Sequence, residues 1–259
     1  AIAIRSTVCF IMSRSRAEQG IVPHKTSIEV VVDTQDKRLT AVAETLIHSI
    51  GEQIGSPTHI LHLGKNGIEL RSIHKPDHGG FRVDFSTIDR RTGGGNLSRR
   101  QTFPRAIGER NSWVVDATAG FGADSARLAL MGYRVTAIER SPIIAAMLQD
   151  GLFRACQDKI LAKALGGRLT VIEANATRWL LNNKGMDVVY LDPMFPPKRK
   201  KSALPPGHIQ LLQSLVVAKD AEADRLFQVA LQAATRRVVV KRPTHAPHMA
   251  KNPVAIHEG

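Results

Sequence analysis

From Trp113 onward the chain alternates short apolar runs with helical stretches, and this alternation constrains the fold more than any other feature. Trp113-Val114-Val115-Asp116 reads as a buried strand, followed by a glycine turn and a helix through Ala126, Leu128, Ala129 and Leu130. Tyr133 to Ile138 reads as a second strand, and Ser141 before Pro142 supplies an N-cap and a first-turn proline for the next helix. Leu169–Ile172, Asp187–Leu191 and Arg237–Val240 read as further strands, with helices over 176–183 and 208–234 between them. Such alternation predicts an α/β fold, a Rossmann-like parallel sheet with helices on both faces. Sheets of this kind bind ligands beyond the carboxyl ends of their strands, so the motifs at those ends carry the functional argument.

Before this region the pattern is weaker. Residues 1–85 read as a small N-terminal α/β domain, with a strand at Ile28–Val32, helical spacing over Ala41–Ile54, and strands at His59–Leu63 and Ile68–Ile73 around a Gly64-Lys65-Asn66-Gly67 turn. Phe81–Phe85 alternates apolar and polar residues as a half-buried strand would. Residues 86–112 form a basic connector containing Gly93-Gly94-Gly95 and Arg90, Arg91, Arg99, Arg100, Arg105 and Arg110; the α/β sheet domain then runs over 113–259. The chain holds 36 Lys plus Arg against 23 Asp plus Glu, a formal charge of +13, which favours a polyanionic partner. Aromatic residues are only 5%, too few for an extended single-strand stacking platform. Cys9 and Cys156 form no CxxC pair and fit a reducing compartment; the near pairs of histidines lack the Cys or Glu companions of a metal site. No stretch approaches the roughly 20 apolar residues of a membrane span, so a cytoplasmic protein without a metal is expected.

The first strand runs into Asp116-Ala117-Thr118-Ala119-Gly120-Phe121-Gly122-Ala123-Asp124. Gly120 and Gly122 let the chain turn sharply and pass close to a nucleoside. A dinucleotide-binding protein also places glycines here, but Ser125 replaces the third glycine of that fingerprint and Asp116 puts a carboxylate where a pyrophosphate wants bare amides. A cationic sulfonium and an amino group tolerate a carboxylate, which points to S-adenosyl-L-methionine. Glu139 ends the second strand, at the spacing where an acidic residue takes ribose hydroxyls; Arg140 beside it can lie over the adenine. Asn175 and Ala176 follow the third strand, at the position that meets an adenine edge.

The fourth strand runs into Asp192-Pro193-Met194-Phe195-Pro196-Pro197. An exocyclic aryl amine is a poor nucleophile because its lone pair is delocalised into the ring. A carboxylate and a carbonyl that accept its two N–H bonds localise that lone pair, and Asp192 and the Pro193 carbonyl are the candidates. Phe195 can stack on an extracted base. Lys198, Arg199, Lys200 and Lys201 follow directly, and Arg99, Arg100, Lys241 and Arg242 extend a basic surface suited to RNA phosphates.

Taken together, VVDATAGFGADSA, ERSPIIAAMLQDGL, VVYLDPMFPPKRKKSAL and RRVVVKRPTHAP resemble the bacterial small-subunit ribosomal RNA guanine-N2 methyltransferase J family, over roughly residues 81–259. The resemblance implies a class I methyltransferase sheet and cofactor contacts at Ala123, Asp124, Glu139, Arg140, Asn175, Ala176 and Asp192. It also implies, as acceptor, the N2 amine of a guanine in small-subunit (16S) ribosomal RNA, free or in the small ribosomal subunit. Two other readings stay open on the motifs alone: an adenine-N6 methyltransferase of nucleic acid, and a ribosomal RNA-binding assembly factor that keeps the fold without catalysis. A nicotinamide-dependent oxidoreductase is disfavoured by Ser125 and by the Asp-Pro-Met-Phe loop.

Overall fold

The computed structural model describes residues 27–50, 56–74, 79–91, 97–193, 220–243, 246 and 249–257, with the backbone of 5–9. These residues divide into two compact units, the division falling between Val83 and Asp84.

The first unit is a four-stranded sheet in the order β1 (Arg5–Cys9), β2 (Ser27–Asp33), β3 (His59–Gly64), β4 (Gly67–Ser72). β2 and β3 run parallel, which requires a crossover, and helix α1 (Lys37–Ile50) lies between them in sequence. Leu39, Ala43 and Leu46 recur at helical spacing and are its buried face. β3 and β4 are the expected hairpin, turning through Lys65 and Asn66 into Gly67 at φ 98°. The strand expected at Phe81–Phe85 does not form. Phe81 makes a single bridge to Leu70, and the Asp84 carboxylate then accepts the Ser86 N–H and opens a 3₁₀ turn over Phe85–Thr87.

The second unit is a five-stranded sheet, parallel throughout, in the order β7-β6-β5-β8-β9. The strands are β5 (Trp113–Asp116), β6 (Arg134–Glu139), β7 (Leu169–Glu173), β8 (Met186–Leu191) and β9 (Ala234–Val240). The helices are α2 (Thr102–Ile107), α3 (Ala123–Leu130), α4 (Pro142–Gln157), α5 (Lys159–Leu165), α6 (Ala176–Asn182) and α7 (Asp220–Ala233). Of the helix expected over 208–234, residues 208–219 lie outside the described residues, and Ala234 already belongs to β9. Helix α2 was not legible in the basic connector. Val114, Val115, Val135, Ala137, Val188 and Val189 are at most 1% exposed, so consecutive strand residues are buried whichever face they point to. That is the signature of a sheet covered on both sides. One layer of this core joins Val115, Leu180, Met186, Val189 and Leu191 to Phe227 and Ala230 of α7.

The polar residues at the start of the sheet are matched as well. The Trp113 N–H donates to Asp187 Oδ2 at 2.7 Å and its indole N–H to Thr136 Oγ1 at 3.0 Å. The chain leaves β5 outward to β6 and β7, then returns to the other side of β5 as β8. The carboxyl ends of β5 and β8 are therefore neighbours at the point where the strand order reverses, with Asp116 paired to Tyr190.

Candidate active site

The loop after β5 is held from three sides. The Ala117 N–H donates to the Tyr190 carbonyl of β8 at 3.0 Å, and the Ala119 N–H to the Ile138 carbonyl of β6 at 3.1 Å. The Gly120 N–H donates to Glu139 Oε2 at 3.0 Å. Gly120 and Gly122 have φ of 54° and 74°, the left-handed region that costs a side-chain-bearing residue about 1–2 kcal/mol. At Gly122 a Cβ would also press on the Leu148 side chain of helix α4, which would have to move to admit it.

Asp116 is 1% exposed and turned beneath this loop. Its Oδ2 accepts the Ser125 hydroxyl at 2.5 Å and its Oδ1 the Thr118 N–H at 3.1 Å. Ser125, read from sequence only as a departure from a dinucleotide fingerprint, is thus the partner that a buried carboxyl needs. Burial pushes the Asp116 carboxyl up to about 7, with Asp124 and Asp192 adding to the rise and the two hydrogen bonds opposing it. Because the folded value lies above the ordinary 3.8, the stability this group contributes is full below about pH 4 and lost as pH rises through about 7. Asp116→Asn keeps the shape and removes the titration. Thermal melts from pH 5 to 8 should therefore fall less steeply for the variant than for the parent, and parallel curves would show that Asp116 is not a buried neutral acid.

Glu139 ends β6 at 7% exposure, with Oε1 accepting the Ser141 N–H at 2.8 Å and Oε2 the Gly120 N–H. Burial raises its pKa, opposed by the backbone N–H groups of Ser141, Gly120 and Arg140. Three backbone N–H groups on about four lone-pair sites leave room for one further hydroxyl donor. The exposed Arg140 guanidinium instead reaches Glu222 Oε2 of α7 at 2.7 Å. Asn175 caps α6, its side-chain oxygen accepting the Arg178 N–H at 3.1 Å, and Ala176 is buried in the first turn.

The remaining groups meet at the ends of β8 and β9. The Asp192 N–H donates to Thr118 Oγ1 at 2.7 Å, which fixes the start of the Asp-Pro loop against the glycine loop. Pro193 follows, partly buried. Asp124, in the first turn of α3, accepts the Tyr190 hydroxyl at 2.7 Å and the Lys241 ammonium at 2.9 Å on the same Oδ2. Lys241 also lies 2.8 Å from Asp192 Oδ2, so one ammonium bridges two carboxylates. Lys241, read from sequence as part of a basic surface, thus has two carboxylates as partners here and stays half exposed. The parallel register aligns Leu191 with Val240 and sets the Lys241 N–H on the Leu191 carbonyl at 2.8 Å, which delivers the side chain to Asp192. Burial raises the Asp192 pKa, Lys241 opposes the rise and Asp124 adds to it. Burial alone would raise Asp124 too, but Lys241, Tyr190 and Arg127 together hold it below the usual range.

Sequence reasoning missed Thr118, Ser125 and Tyr190 as parts of this site. Tyr190 carried a readable signal, since a buried tyrosine in an otherwise aliphatic strand needs a partner for its hydroxyl. Phe103 packs against its ring at 4.9 Å between centroids. Ala123 is exposed beside Asp124 at the start of α3. Arg99 and Arg100 are exposed, and Arg242 is partly buried beside Lys241. Phe195, Lys198, Arg199, Lys200 and Lys201 lie outside the described residues. Among the described residues no helix is long and apolar enough to cross a membrane.

Two carboxylates sharing one ammonium, with Glu139 at the end of the neighbouring strand and a glycine loop at the reversal point of the strand order, favour a cationic nucleoside over a pyrophosphate. The fold and the site define a class I S-adenosylmethionine-dependent methyltransferase. Residues 50–259 match the family described as "Putative SAM-dependent methyltransferase". The ribosomal RNA small subunit methyltransferase J of Aeromonas salmonicida is 42% identical over 82% of this chain and 86% of its own length. That of Tolumonas auensis is 40% identical over 85% and 90%. The chain belongs to the ribosomal RNA small subunit methyltransferase J family. In three dimensions it is similar to a SAM-dependent methyltransferase from Neisseria gonorrhoeae, with a TM-score of 0.61 and 27% identity over 90% of this chain and 91% of the other.

Proposed function

We propose that this chain methylates the exocyclic N2 amine of a guanine in small-subunit (16S) ribosomal RNA. One observation carries the reading. The glycine loop is bonded to Glu139 through Gly120 and to Asp192 through Thr118, so a nucleoside-binding carboxylate and an amine-orienting carboxylate share a single support. The relatives' names supply the substrate class, small-subunit ribosomal RNA.

The donor set fits the cofactor. Glu139 offers its remaining lone pair to a ribose hydroxyl, the turn at Gly120 and Gly122 admits a close approach, and Ala123, Asp124, Asn175 and Ala176 stand at helix starts beyond the same strand ends. Arg140 lies beside Glu139 at the rim. When bound, S-adenosyl-L-methionine supplies a methyl group on a positively charged sulfur. Asp192 and the Pro193 carbonyl accept the two N–H bonds of the amine and draw its lone pair out of the ring toward the methyl carbon. Asp116 touches no ligand in this scheme; it locks Thr118 and Ser125 so that the loop keeps its shape. Phe195 stacks the base, while Lys198, Arg199, Lys200 and Lys201, with Arg99, Arg100 and Arg242, hold phosphates. The nitrogen sheds its extra proton after transfer, so no strong general base is required.

The test starts with calorimetric titration of S-adenosylhomocysteine, where micromolar binding is expected. Small-subunit RNA is then methylated with labelled cofactor and digested for mass spectrometry. N2-methylguanine is the expected product. N6-methyladenine, or binding without any transfer to free RNA or to assembled subunits, would replace this reading with one of its rivals.

A further inference from the structure

At the opposite end of the same sheet lies a cleft of about 430 Å³ lined by Leu97, Ser98, Arg99, Arg100, Arg110 and Met131, with Leu130 beside it. Arg110 precedes β5 and Met131 precedes β6, so the cleft opens at the amino ends of the strands. Glu139 closes the other end of β6, five residues on from Arg134 and about 17 Å along the strand at roughly 3.3 Å per residue.

What sets this cleft apart is that three arginines converge on one concavity with no carboxylate among its lining residues. Arg127, Arg140, Arg154 and Arg236 each sit on a carboxylate, at 3.3, 2.7, 2.9 and 2.7 Å. Among the described residues, Arg99, Arg100 and Arg110 have no such partner. Arg99 donates to the Gly108 carbonyl at 3.3 Å and stands 5.9 Å from the centroid of the Tyr133 ring. Arg110 donates to the Met131 carbonyl at 3.4 Å. Tyr133 is itself fixed, its hydroxyl donating to Gly108 O at 2.7 Å. A guanidinium carries five N–H donors, so after one bond each to the backbone both arginines are held in place and keep most of their donors. Three exposed guanidinium groups around one concavity add up to a local positive potential, and their planar forks suit phosphate oxygens.

We infer that this cleft is a second RNA-docking site, taking backbone phosphates of the substrate at a distance from the nucleotide that is methylated. The inference rests on the RNA reading above and adds to it Arg110, a place and a division of labour. Leu97, Leu130 and Met131 give the cleft an apolar floor on which a ribose or base edge can rest, while the arginines grip the strand without reading its sequence. The substrate is then held at two points separated by about the length of β6, roughly 17 Å.

The test compares the full chain with Arg100→Ala, Arg110→Ala and the double variant. S-adenosylhomocysteine titration serves as the control for folding, since neither side chain belongs to the cofactor site. The double variant should raise KM for small-subunit RNA about tenfold with kcat within twofold. The slope of log Kd for RNA against log salt should also flatten by about 0.7–0.9 for each arginine removed. Unchanged slopes and KM with intact cofactor binding would overturn the docking site. A fall in kcat at constant KM would overturn it equally, by making the cleft part of the reaction geometry. If the parent chain methylates no ribosomal RNA, the substrate reading fails, and the salt slopes with the same RNA still decide the cleft.

Discussion

Asp192→Ala lowers methyl transfer by about 10³-fold or more and leaves S-adenosylhomocysteine affinity within about tenfold of the parent. The two effects separate because, in the proposed mechanism, the carboxylate acts on the amine, whose lone pair must be freed only as the new bond forms; an interaction of that kind is worth most in the transition state. The cofactor side stays intact for a structural reason. Thr118 accepts the Asp192 backbone N–H, which the substitution keeps, and Lys241 retains Asp124 as a partner at 2.9 Å. Single-turnover kinetics with saturating RNA, alongside calorimetry, measures both quantities. Parent-like turnover in the variant would remove Asp192 from the mechanism. A parallel collapse of cofactor affinity would make it a binding residue instead.

Lys241→Met should cost about a hundredfold in kcat/KM at neutral pH, the size of effect that misplacing a reacting group by about 1 Å produces. Asp124 and Asp192 both bond this ammonium, and without it two carboxylates face each other beside the buried Asp116 and the Tyr190 hydroxyl. Burial already raises the Asp192 pKa, and Lys241 is the charge that opposes this. Its loss raises the pKa further, so the ionised form that accepts N–H bonds appears only at higher pH. The acid limb of the kcat/KM profile should move to higher pH, with activity partly recovered on the alkaline side. Lys241→Arg should restore the parent profile. Lys241 is a positioning residue on this view, and a fall in rate with an unshifted profile would contradict it.

The parallel sheet was legible because its strands are near-continuous apolar runs and its helices carry their own start signals, such as Ser141-Pro142 and Asn175. The cofactor loop and the Asp-Pro turn were legible because each is a contiguous stretch with chemistry that needs those residue types. What was not legible depends on register. Lys241 meets Asp192 because β8 and β9 align Leu191 with Val240, across 49 positions of sequence that carry no mark of the pairing. Ser125 meets Asp116 through a loop closure, and sequence showed only that a glycine was missing. The Phe81–Phe85 alternation was misleading for a local reason: the Asp84 side chain captures the Ser86 N–H and diverts the chain into a turn. Arg140 and Lys241 looked like free cations in sequence and are committed to carboxylates in space.

Thr118 and Gly120 are two residues apart, and a chain segment of that length spans about 7 Å at most. One anchors the Asp192 loop, the other the Glu139 carboxylate, to which the proposed mechanism gives the acceptor and the cofactor. Covalent bond lengths, rather than side-chain rotamers, therefore act as the ruler between the two halves of the pocket. A pocket gauged this way can change its outer contacts, and with them the RNA it recognises, while the spacing at its centre stays constant.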